Sequence, residues 1–330
     1  MKRLFYCRTP LQTLVVRAIQ DRHPEDDYIL YYPTSGSIKH RIYFDRLHSS
    51  KALFIDYTAP SFSQLATEII VFLRIQRWLK NLQIDQIAVA SIGGMLFSMM
   101  DLTLCKPTVV TFDDGALSID RDVFSYMYEG DRRYEFLRRV IGARINRELI
   151  DGALRHYTIF EPNLSLFPKA AICLVALFGD RRPTAKRGPG LGELSILLGS
   201  APQLMASQAA SNYHRFMREH AFDVFIPHPA TDVKPTVSRA ETELAYLKDI
   251  IDVWIAEDIV MYLVSQGYTI TVYGFGSTAL LNLSQVASTV NIVIPYCNEG
   301  TAEAFSRVVH KTVSFGFDGG KEVLWGGTRA

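Results

Sequence analysis

Short apolar runs alternate with amphipathic stretches through the first half of the chain. Residues 3–7 and 28–32 are β-rich runs, and the segment between them has apolar residues at helical spacing, which predicts a strand, a helix and a strand. The alternation continues to about residue 160 and favours a parallel sheet covered on both faces. The other expected strands are 52–57, 84–91, 107–115 and 156–160, with helices at about 62–81 and 131–154.

A second alternating unit follows a polar stretch rich in glycine and proline. Residues 179–193, GDRRPTAKRGPGLGE, lack apolar periodicity and are the best linker candidate. We predict a first domain over 1–180, a linker over 181–193 and a second domain over 194–330, with the residues from about 316 packing back on the first domain. The second domain's expected strands are 194–200, 222–229, 268–277 and 290–296, with helices at about 203–219 and 241–266.

This pattern predicts an α/β fold with two Rossmann-like βα domains that face each other across a cleft, similar to the glycosyltransferase-B arrangement. In such folds ligands bind at the carboxyl ends of the strands. The chain has no G-x-G-x-x-G after its first strand and no G-x-x-x-x-G-K-[ST]. A nicotinamide dehydrogenase or a P-loop enzyme is therefore disfavoured, because either would lack its phosphate cradle.

Composition and charge exclude several classes of protein. With 48% hydrophobic and 21% charged residues the chain is globular, and Lys plus Arg (35) nearly balances Asp plus Glu (34). A net charge of +1 gives no basic field for nucleic acid, so an anionic ligand must be held locally.

The cysteines and the apolar runs indicate the compartment. Cys7, Cys105, Cys173 and Cys297 are widely spaced without a C-x-x-C pair, which argues against a zinc site or a disulfide framework. The N-terminus does not suit a signal peptide, and no apolar run reaches the roughly 20 residues that span a bilayer. We expect a cytoplasmic protein that is soluble or peripheral at the inner membrane face.

The strongest candidate for chemistry is TFDDG at 111–115. It ends an apolar strand and so places Asp113 and Asp114 at the carboxyl edge of the first sheet, with Gly115 easing the turn. One aspartate can cap the turn while the other faces the cleft, where partial burial and the neighbouring charge would raise its pKa. An ordinary Asp-Gly turn explains the same residues equally well, and a metal-binding pair is a weaker alternative.

Three features of the second domain suit an anionic ligand. His228 lies between two prolines at the end of a strand, which aims the imidazole rigidly and suits contact with a leaving phosphate. Gly274, Gly276, Ser277 and Thr278 follow a strand and open a helix, which suits either a phosphate site or a plain helix N-cap. Glu257 could bind ribose hydroxyls, but alone it would be interpreted as a surface acid.

The segment 131–155 concentrates positive charge on an amphipathic pattern. A solvated helix face explains it best, and contact with an anionic membrane or an acidic glycolipid is the functional alternative. Its arginines are Arg132, Arg133, Arg138, Arg139, Arg144, Arg147 and Arg155.

The ordered set TFDDG, LLGS, PHP, AED and GFGS resembles the bacterial sialyltransferases of glycosyltransferase family 52, the alpha-2,3-type enzymes of lipooligosaccharide or capsule. The similarity covers most of the chain and includes Leu11-Gln12, HYTIF at 156–160 and ILLGS at 196–200. It implies a glycosyltransferase-B fold, CMP-sialic acid as donor, inversion at the anomeric carbon, no cofactor and no metal.

The resemblance also implies roles for individual residues. Asp114, or less surely Asp113, matches the acidic motif that supplies the base for an acceptor hydroxyl, which we expect on galactose. His228 matches the histidine on the CMP phosphate, Glu257 the acid on the ribose, and Ser277 with Thr278 the hydroxyls on the phosphate. The remaining expected donor-binding residues are Gly199, Ser200, Pro229 and Gly276.

One departure from the family pattern keeps alternatives open. Meningococcal-type members have an aspartate shortly after LLGS, whereas this chain has Ser200-Ala201-Pro202-Gln203. Either Asp114 or Asp113 acts as the base, or activity is altered. The alternatives are a family member with another nucleotide-sugar donor, a paralogue that binds without transfer, and a sugar epimerase of the same fold.

The expected partners follow from this assignment. They are CMP-sialic acid, a glycan or glycolipid acceptor, no nucleic acid, an anionic membrane contacted through Arg132–Arg155, and a second copy in a homodimer.

Overall fold

The chain divides into two compact units, Met1–Gly179 and Asp180–Ala330. Each is built on one sheet, in which seven strands are described. The structure is a computed structural model that describes residues 1–33, 37–47, 51–56, 64–178, 191–199, 221–228, 236–237, 244, 246–274, 278–283, 289–294, 313–318 and 321–326.

The sheet of the first unit is parallel throughout, as the alternating pattern predicts. Its order is β3-β2-β1-β4-β5-β6-β7, so the carboxyl ends of β1, β4 and β5 are neighbours at one edge. The strands are β1 (Lys2–Cys7), β2 (Asp26–Tyr31), β3 (Ala52–Phe54), β4 (Gln86–Val89), β5 (Thr108–Phe112), β6 (Arg155–Thr158) and β7 (Ala171–Leu174).

The first helix of this unit begins at a recognisable capping residue. Thr9 caps the first helix and accepts a hydrogen bond from the Gln12 N–H, while Pro10 occupies the first turn, where its missing N–H costs nothing. The helices are α1 (Pro10–Arg22), α2 (Ile38–Asp45), α3 (Gln64–Lys80), α4 (Met95–Thr103), α5 (Arg121–Glu129), α6 (Arg132–Ile141) and α7 (Asn146–Asp151).

The prediction of one helix over 131–154 is wrong. Helix α6 ends at Gly142, which adopts a left-handed conformation with φ 74°, and α7 starts four residues later. The apolar side chains of α6 are half-buried or exposed, whereas α7 buries Leu149 and Ile150, so the amphipathic pattern of this segment covers two helices with different surroundings.

Three of the seven clustered arginines serve the fold rather than a solvated surface. Arg138 is 1% exposed and donates to Ser98 Oγ (2.8 Å), Glu135 Oε1 (2.7 Å) and the Ile92 carbonyl (2.7 Å). Arg144 forms a bidentate pair with buried Asp101, and Arg155 donates to the Tyr157 hydroxyl at 3.0 Å. The solvated-face interpretation therefore holds only for the exposed arginines Arg132, Arg133, Arg139 and Arg147.

The second sheet has a parallel centre and antiparallel edges. Its order is β10-β9-β8-β11-β12-β13-β14, and the pairs β9–β10 and β13–β14 are antiparallel. The strands are β8 (Gly192–Leu198), β9 (Val224–Ile226), β10 (Thr236–Val237), β11 (Tyr268–Gly274), β12 (Thr289–Ile294), β13 (Val313–Asp318) and β14 (Lys321–Gly326).

The last described residues belong to the second sheet. Residues 313–318 and 321–326 are two antiparallel strands, and 321–326 lie at the edge of that sheet. The packing of the residues from about 316 on the first domain stays a prediction. The strand expected from 194 begins at Gly192, and most of the predicted linker lies outside the described residues.

The helix predicted over 241–266 is two helices in the structure. The described helices of this unit are α8 (Leu247–Ile251), α9 (Ala256–Gln266) and α10 (Thr278–Leu283). The predicted helix at 203–219 lies outside the described residues.

Candidate functional site

Asp113 directly follows β5 and is completely enclosed. Its side chain is 0% exposed and accepts hydrogen bonds from Thr158 Oγ1 (2.7 Å), the Ile159 N–H (2.7 Å) and Ser118 Oγ. His156 Nε2 lies 3.0 Å from Asp113 Oδ1, and this imidazole is also fully buried. With four partners and no exposure, Asp113 ties β5 to β6 and has no free lone pair to offer a ligand.

Asp114, the next residue, is only partly buried. Burial raises the pKa of Asp114 above its ordinary value, and the Asp113 charge adds to this effect. The polar side chains of Gln12 and Thr9 at the start of α1, together with the Arg8 charge, act in the opposite direction on the pKa. Asp114 is thus a shielded carboxylate that strand order brings to the ends of β1 and β5.

Arg8 adds a positive charge at the same edge. Its guanidinium carbon lies 5.6 Å from the centre of the Tyr32 ring. Its Nε is buried and has no hydrogen-bond partner among the described residues. The carboxylate of Glu68, a nearby acid, accepts hydrogen bonds from the Met95 and Leu96 N–H groups at the start of α4. Arg8 therefore supplies an uncommitted donor beside Asp114.

In the second unit the structure brings Gly199 and His228 together. They follow the neighbouring strands β8 and β9, and the Gly199 N–H donates to the Ile226 carbonyl at 2.8 Å. A Cβ at position 199 would lie 2.6 Å from the His228 nitrogen, so a side chain there would push the backbone that carries the imidazole. Burial lowers the pKa of His228, which makes its neutral form more abundant at neutral pH.

Glu257 lies in the first turn of α9 and is 4% exposed, so the surface-acid interpretation is wrong. Asn282 Nδ2 donates to Glu257 Oε1 at 2.9 Å. Asn282 is itself fully buried, and among the described residues its Oδ1 has no hydrogen-bond partner. This pair joins α9 to α10.

The structure places only some of the predicted donor-binding residues. Thr278 is exposed and begins α10. The other predicted members, Ser200, Pro229, Gly276 and Ser277, lie outside the described residues.

Sequence reasoning missed the residues that surround the predicted ones. Arg8 and Thr9 follow β1 just as Asp113 and Asp114 follow β5, so strand-end position was a usable signal for them. Gln12 appeared only within the family resemblance, and Asn282 had no signal of its own, because an asparagine in a short helix has no distinctive pattern.

Three further properties of the described residues bear on the site. They contain no group of three or more His, Cys, Asp or Glu side chains placed to hold a metal ion. Cys7, Cys105 and Cys173 are free thiols. No helix within the described ranges has the length and hydropathy needed to cross a membrane.

The fold identifies the class of protein. Methanocaldococcus jannaschii UDP-GlcNAc 2-epimerase, solved in complex with UDP-GlcNAc and UDP, matches with a TM-score of 0.51 at 12% identity, over 94% of this chain and 93% of that one. The chain therefore has the α/β fold of the glycosyltransferase-B class, with two Rossmann-like units, as predicted.

The family follows from the sequence comparison. Residues 25–294 match the model of glycosyltransferase family 52, a span that runs from the first unit into the second, and the chain belongs to this family. The resemblance drawn from the motifs is thereby confirmed.

Two relatives are similar over most of the chain. The N-acetyllactosaminide alpha-2,3-sialyltransferase of Haemophilus influenzae is 24% identical over 299 residues, 85% of this chain and 88% of that protein. The CMP-N-acetylneuraminate:beta-galactoside alpha-2,3-sialyltransferase of Pasteurella multocida is 24% identical over 303 residues, 88% of this chain and 90% of that protein.

Proposed function

We propose that this protein is an inverting, metal-independent sialyltransferase that moves sialic acid from CMP-sialic acid to a galactose hydroxyl of a bacterial surface glycan, such as lipooligosaccharide or capsule. The observation that carries the proposal is Asp114, a partly exposed carboxylate at the carboxyl edge of the first sheet in a chain of family 52. The names of the two curated relatives support the donor and the acceptor.

Asp114 is the proposed base. Its carboxylate accepts the proton of the acceptor hydroxyl while that oxygen forms a bond to the anomeric carbon, and the bond from this carbon to the CMP phosphate oxygen breaks. A carboxylate whose pKa is raised towards neutrality is a stronger base than an ordinary surface aspartate. Single displacement from the opposite face gives the inverted product.

His228, Glu257 and Thr278 are the proposed donor contacts in the second unit. The leaving CMP gains negative charge, and an imidazolium at His228 would stabilise it or protonate it. Because burial lowers the pKa of His228, we propose that the bound phosphate restores the protonated form. Glu257 is proposed to bind the ribose hydroxyls, held in place by Asn282.

A transfer assay tests the proposed function. The full chain is incubated with CMP-sialic acid and a lactose-terminated or a sialylated acceptor, and the linkage of the product is read. We expect transfer to galactose, full activity in EDTA, and a fall in kcat of about 10²–10⁴-fold for Asp114→Asn, the usual range for losing a general base.

Each alternative predicts a different outcome of this assay. Preference for a UDP-sugar would show that the donor is a nucleotide sugar other than CMP-sialic acid. CMP binding without transfer would indicate a paralogue that lost catalysis. Release of the nucleotide without an acceptor would indicate an epimerase. Strict dependence on a divalent ion, or near-normal turnover by Asp114→Asn, would reject the mechanism.

We also propose that the protein works against an anionic membrane surface through α6. Exposed Arg132 and Arg139, with Arg147, outnumber the two glutamates that also line a cavity of about 470 Å³, and Phe136 and Val140 on α6 are each 67% exposed. Arginines that meet lipid headgroups beside apolar side chains that enter the interface are typical of peripheral membrane helices. A lipid-borne acceptor would be met at that surface.

A further inference from the structure

The guanidinium of Arg8 lies at the carboxyl edge of the first sheet and is unpaired among the described residues. Arg8 directly follows β1 and is half-buried. Its Nε is enclosed, and the part of the chain that the structure describes offers the guanidinium no hydrogen bond or ion pair. A guanidinium has five N–H donors, and leaving such donors unpaired where water is partly excluded costs free energy. The side chain therefore suits a ligand that accepts from these donors.

The neighbours of Arg8 orient it without using its guanidinium N–H groups. The Arg8 backbone N–H donates to Gln12 Oε1 at 2.6 Å. The guanidinium carbon lies 5.6 Å from the centre of the Tyr32 ring, a cation–π contact that uses no N–H group. The carboxylate of Glu68 accepts from backbone N–H groups at the start of α4 instead. Arg8 is thus placed for a ligand before the ligand binds.

Mostly small residues follow β4, the strand that lies between β1 and β5. The sequence there is ASIGG at 90–94, and among the described residues a Cβ on Gly93 would contact only Ser91 Oγ, at 3.8 Å. Because neighbouring strands lie about 4.8 Å apart, the ends of β1 and β5 are roughly 10 Å apart. The turn after β4 therefore leaves room for a sugar between Arg8 and Asp114.

We propose that Arg8 binds the carboxylate of a substrate sugar beside Asp114. This inference rests on the proposed function. The planar guanidinium pairs with a carboxylate through two parallel hydrogen bonds. The donor phosphate is proposed to meet His228 and Thr278 in the second unit, which leaves the carboxylate as the other anionic group of a sialyl substrate. On the donor this carboxylate is attached to the anomeric carbon, and a sialylated acceptor would bring a second one.

The test compares each carboxylate with its neutral methyl ester, in the full-length wild type and the Arg8→Met variant. The donor arm uses CMP-sialic acid and its methyl ester with lactose as acceptor. The acceptor arm uses sialyllactose and its methyl ester with CMP-sialic acid as donor. In the arm whose carboxylate meets Arg8, Arg8→Met should lower kcat/KM for the acid about 10–100-fold more than for the ester, the usual range for hydrogen bonds to a charged group.

The comparison of acid with ester separates binding of the carboxylate from the other effects of Arg8. The Arg8 charge lowers the pKa of Asp114, so removing this charge alters the proposed base for every substrate. A less stable fold would also lower activity towards every substrate. Both effects are the same for acid and ester, and they cancel in the ratio of the two.

Arg17 provides a matched control. It is also half-buried, and its Nε is likewise enclosed without a partner among the described residues, but it lies within α1 rather than at the end of a strand. Arg17→Met should therefore keep the wild-type ratio of acid to ester in both arms. Arg8→Gln, which also lacks the charge, replaces Arg8→Met if the unfolding midpoint shows that the methionine variant is unstable.

The outcomes separate this inference from the proposed function. If the wild type transfers no sialic acid, or if Asp114→Asn turns over almost normally, the proposed function fails. If transfer depends on Asp114 while the Arg8 variants keep the wild-type ratio of acid to ester in both arms, the proposed function stands and the role of Arg8 is wrong. A ratio that falls only in the donor arm assigns the carboxylate to the donor, and one that falls only in the acceptor arm assigns it to the acceptor.

Discussion

Two adjacent aspartates after β5 have opposite surroundings. Asp113 has four hydrogen-bond partners and no exposure, whereas Asp114 remains partly exposed and its pKa is raised by burial. The first arrangement stabilises the fold by joining β5 to β6. The second leaves a carboxylate in a setting that disfavours its charge, and the proposed role of Asp114 as the base would explain this cost in stability.

We predict opposite stability changes for the two asparagine variants. Asp113→Asn turns an acceptor into a group with an N–H₂ facing donors, and should lower the free energy of unfolding by about 2–4 kcal/mol. Asp114→Asn should raise the free energy of unfolding at neutral pH while lowering kcat for transfer about 10²–10⁴-fold. Denaturant unfolding of both variants checks this, and a loss of stability by Asp114→Asn at neutral pH would contradict it.

The pH dependence of the Asp114 effect follows from linkage. A raised pKa means that the folded state binds the proton more tightly than the unfolded state, so stability falls as pH rises from the unfolded pKa of about 3.9 through the folded one. The gain in the free energy of unfolding from Asp114→Asn should therefore be complete above the pKa of Asp114 in the folded state and vanish towards about pH 4.

The sequence could predict the strand-end position of Asp114 but not the residues that surround it. A strand-end position in TFDDG is visible in the sequence itself. The proximity of Thr9 and Gln12 depends on β1 and β5 lying on either side of β4, and this strand order is decided by long-range packing. The same holds for Glu257, whose burial depends on α10 packing against α9 through Asn282.

At the scale of elements, α6 shows how one helix separates two kinds of arginine. Arg138 faces inward and is held by Ser98, Glu135 and Asn146, while the next residue, Arg139, is exposed. Helical geometry turns adjacent residues by about 100°, so neighbours in sequence fall on different faces. Counting arginines along the segment could not make this distinction, because two of the polar partners of Arg138, Ser98 and Asn146, come from α4 and α7.

We predict that anionic vesicles bind through the exposed face of α6. The double variant Arg132→Gln/Arg139→Gln should weaken co-sedimentation with phosphatidylglycerol vesicles about 30-fold, since each basic residue near such a surface contributes about 1 kcal/mol. Phe136→Ser should weaken it as well. The double variant Arg77→Gln/Lys80→Gln, which removes two charges from exposed positions of α3, is the control and should bind normally.

The choice of residues in this experiment matters. Arg138 is unsuitable for it, because replacing this buried residue would leave Glu135 without its partner and disturb the fold. Equal binding by the α6 double variant and the wild type would refute the membrane contact. Free inorganic phosphate serves as a competitor. It should lower vesicle binding if a headgroup phosphate occupies the cavity, and should leave binding unchanged if the charged surface as a whole attracts the vesicles.

At the scale of the molecule, alternation of strands and helices predicted the class correctly. A parallel sheet buried on both faces needs continuous apolar strands, and such strands stand out in a sequence. The antiparallel edges of the second sheet were not predicted, because β10 is only two residues long and the sequence analysis assigned no strand to residues 313–326. The assignment of the acceptor to the first unit and CMP to the second stays a prediction.

Hydrogen exchange of the full chain tests this division of tasks. Saturating CMP should slow exchange at least about fivefold around His228 and Glu257, in peptides from β8, β9 and α9, since a ligand at 100 times its Kd stabilises the bound state by about 2.7 kcal/mol. Peptides from β1 and β5, which adjoin Asp114, should exchange as before. Cytidine without the phosphate should protect the β9 peptide less, because His228 is proposed to contact that phosphate. Protection confined to the first unit would reverse the assignment, and stronger protection by UMP than by CMP would reject the donor.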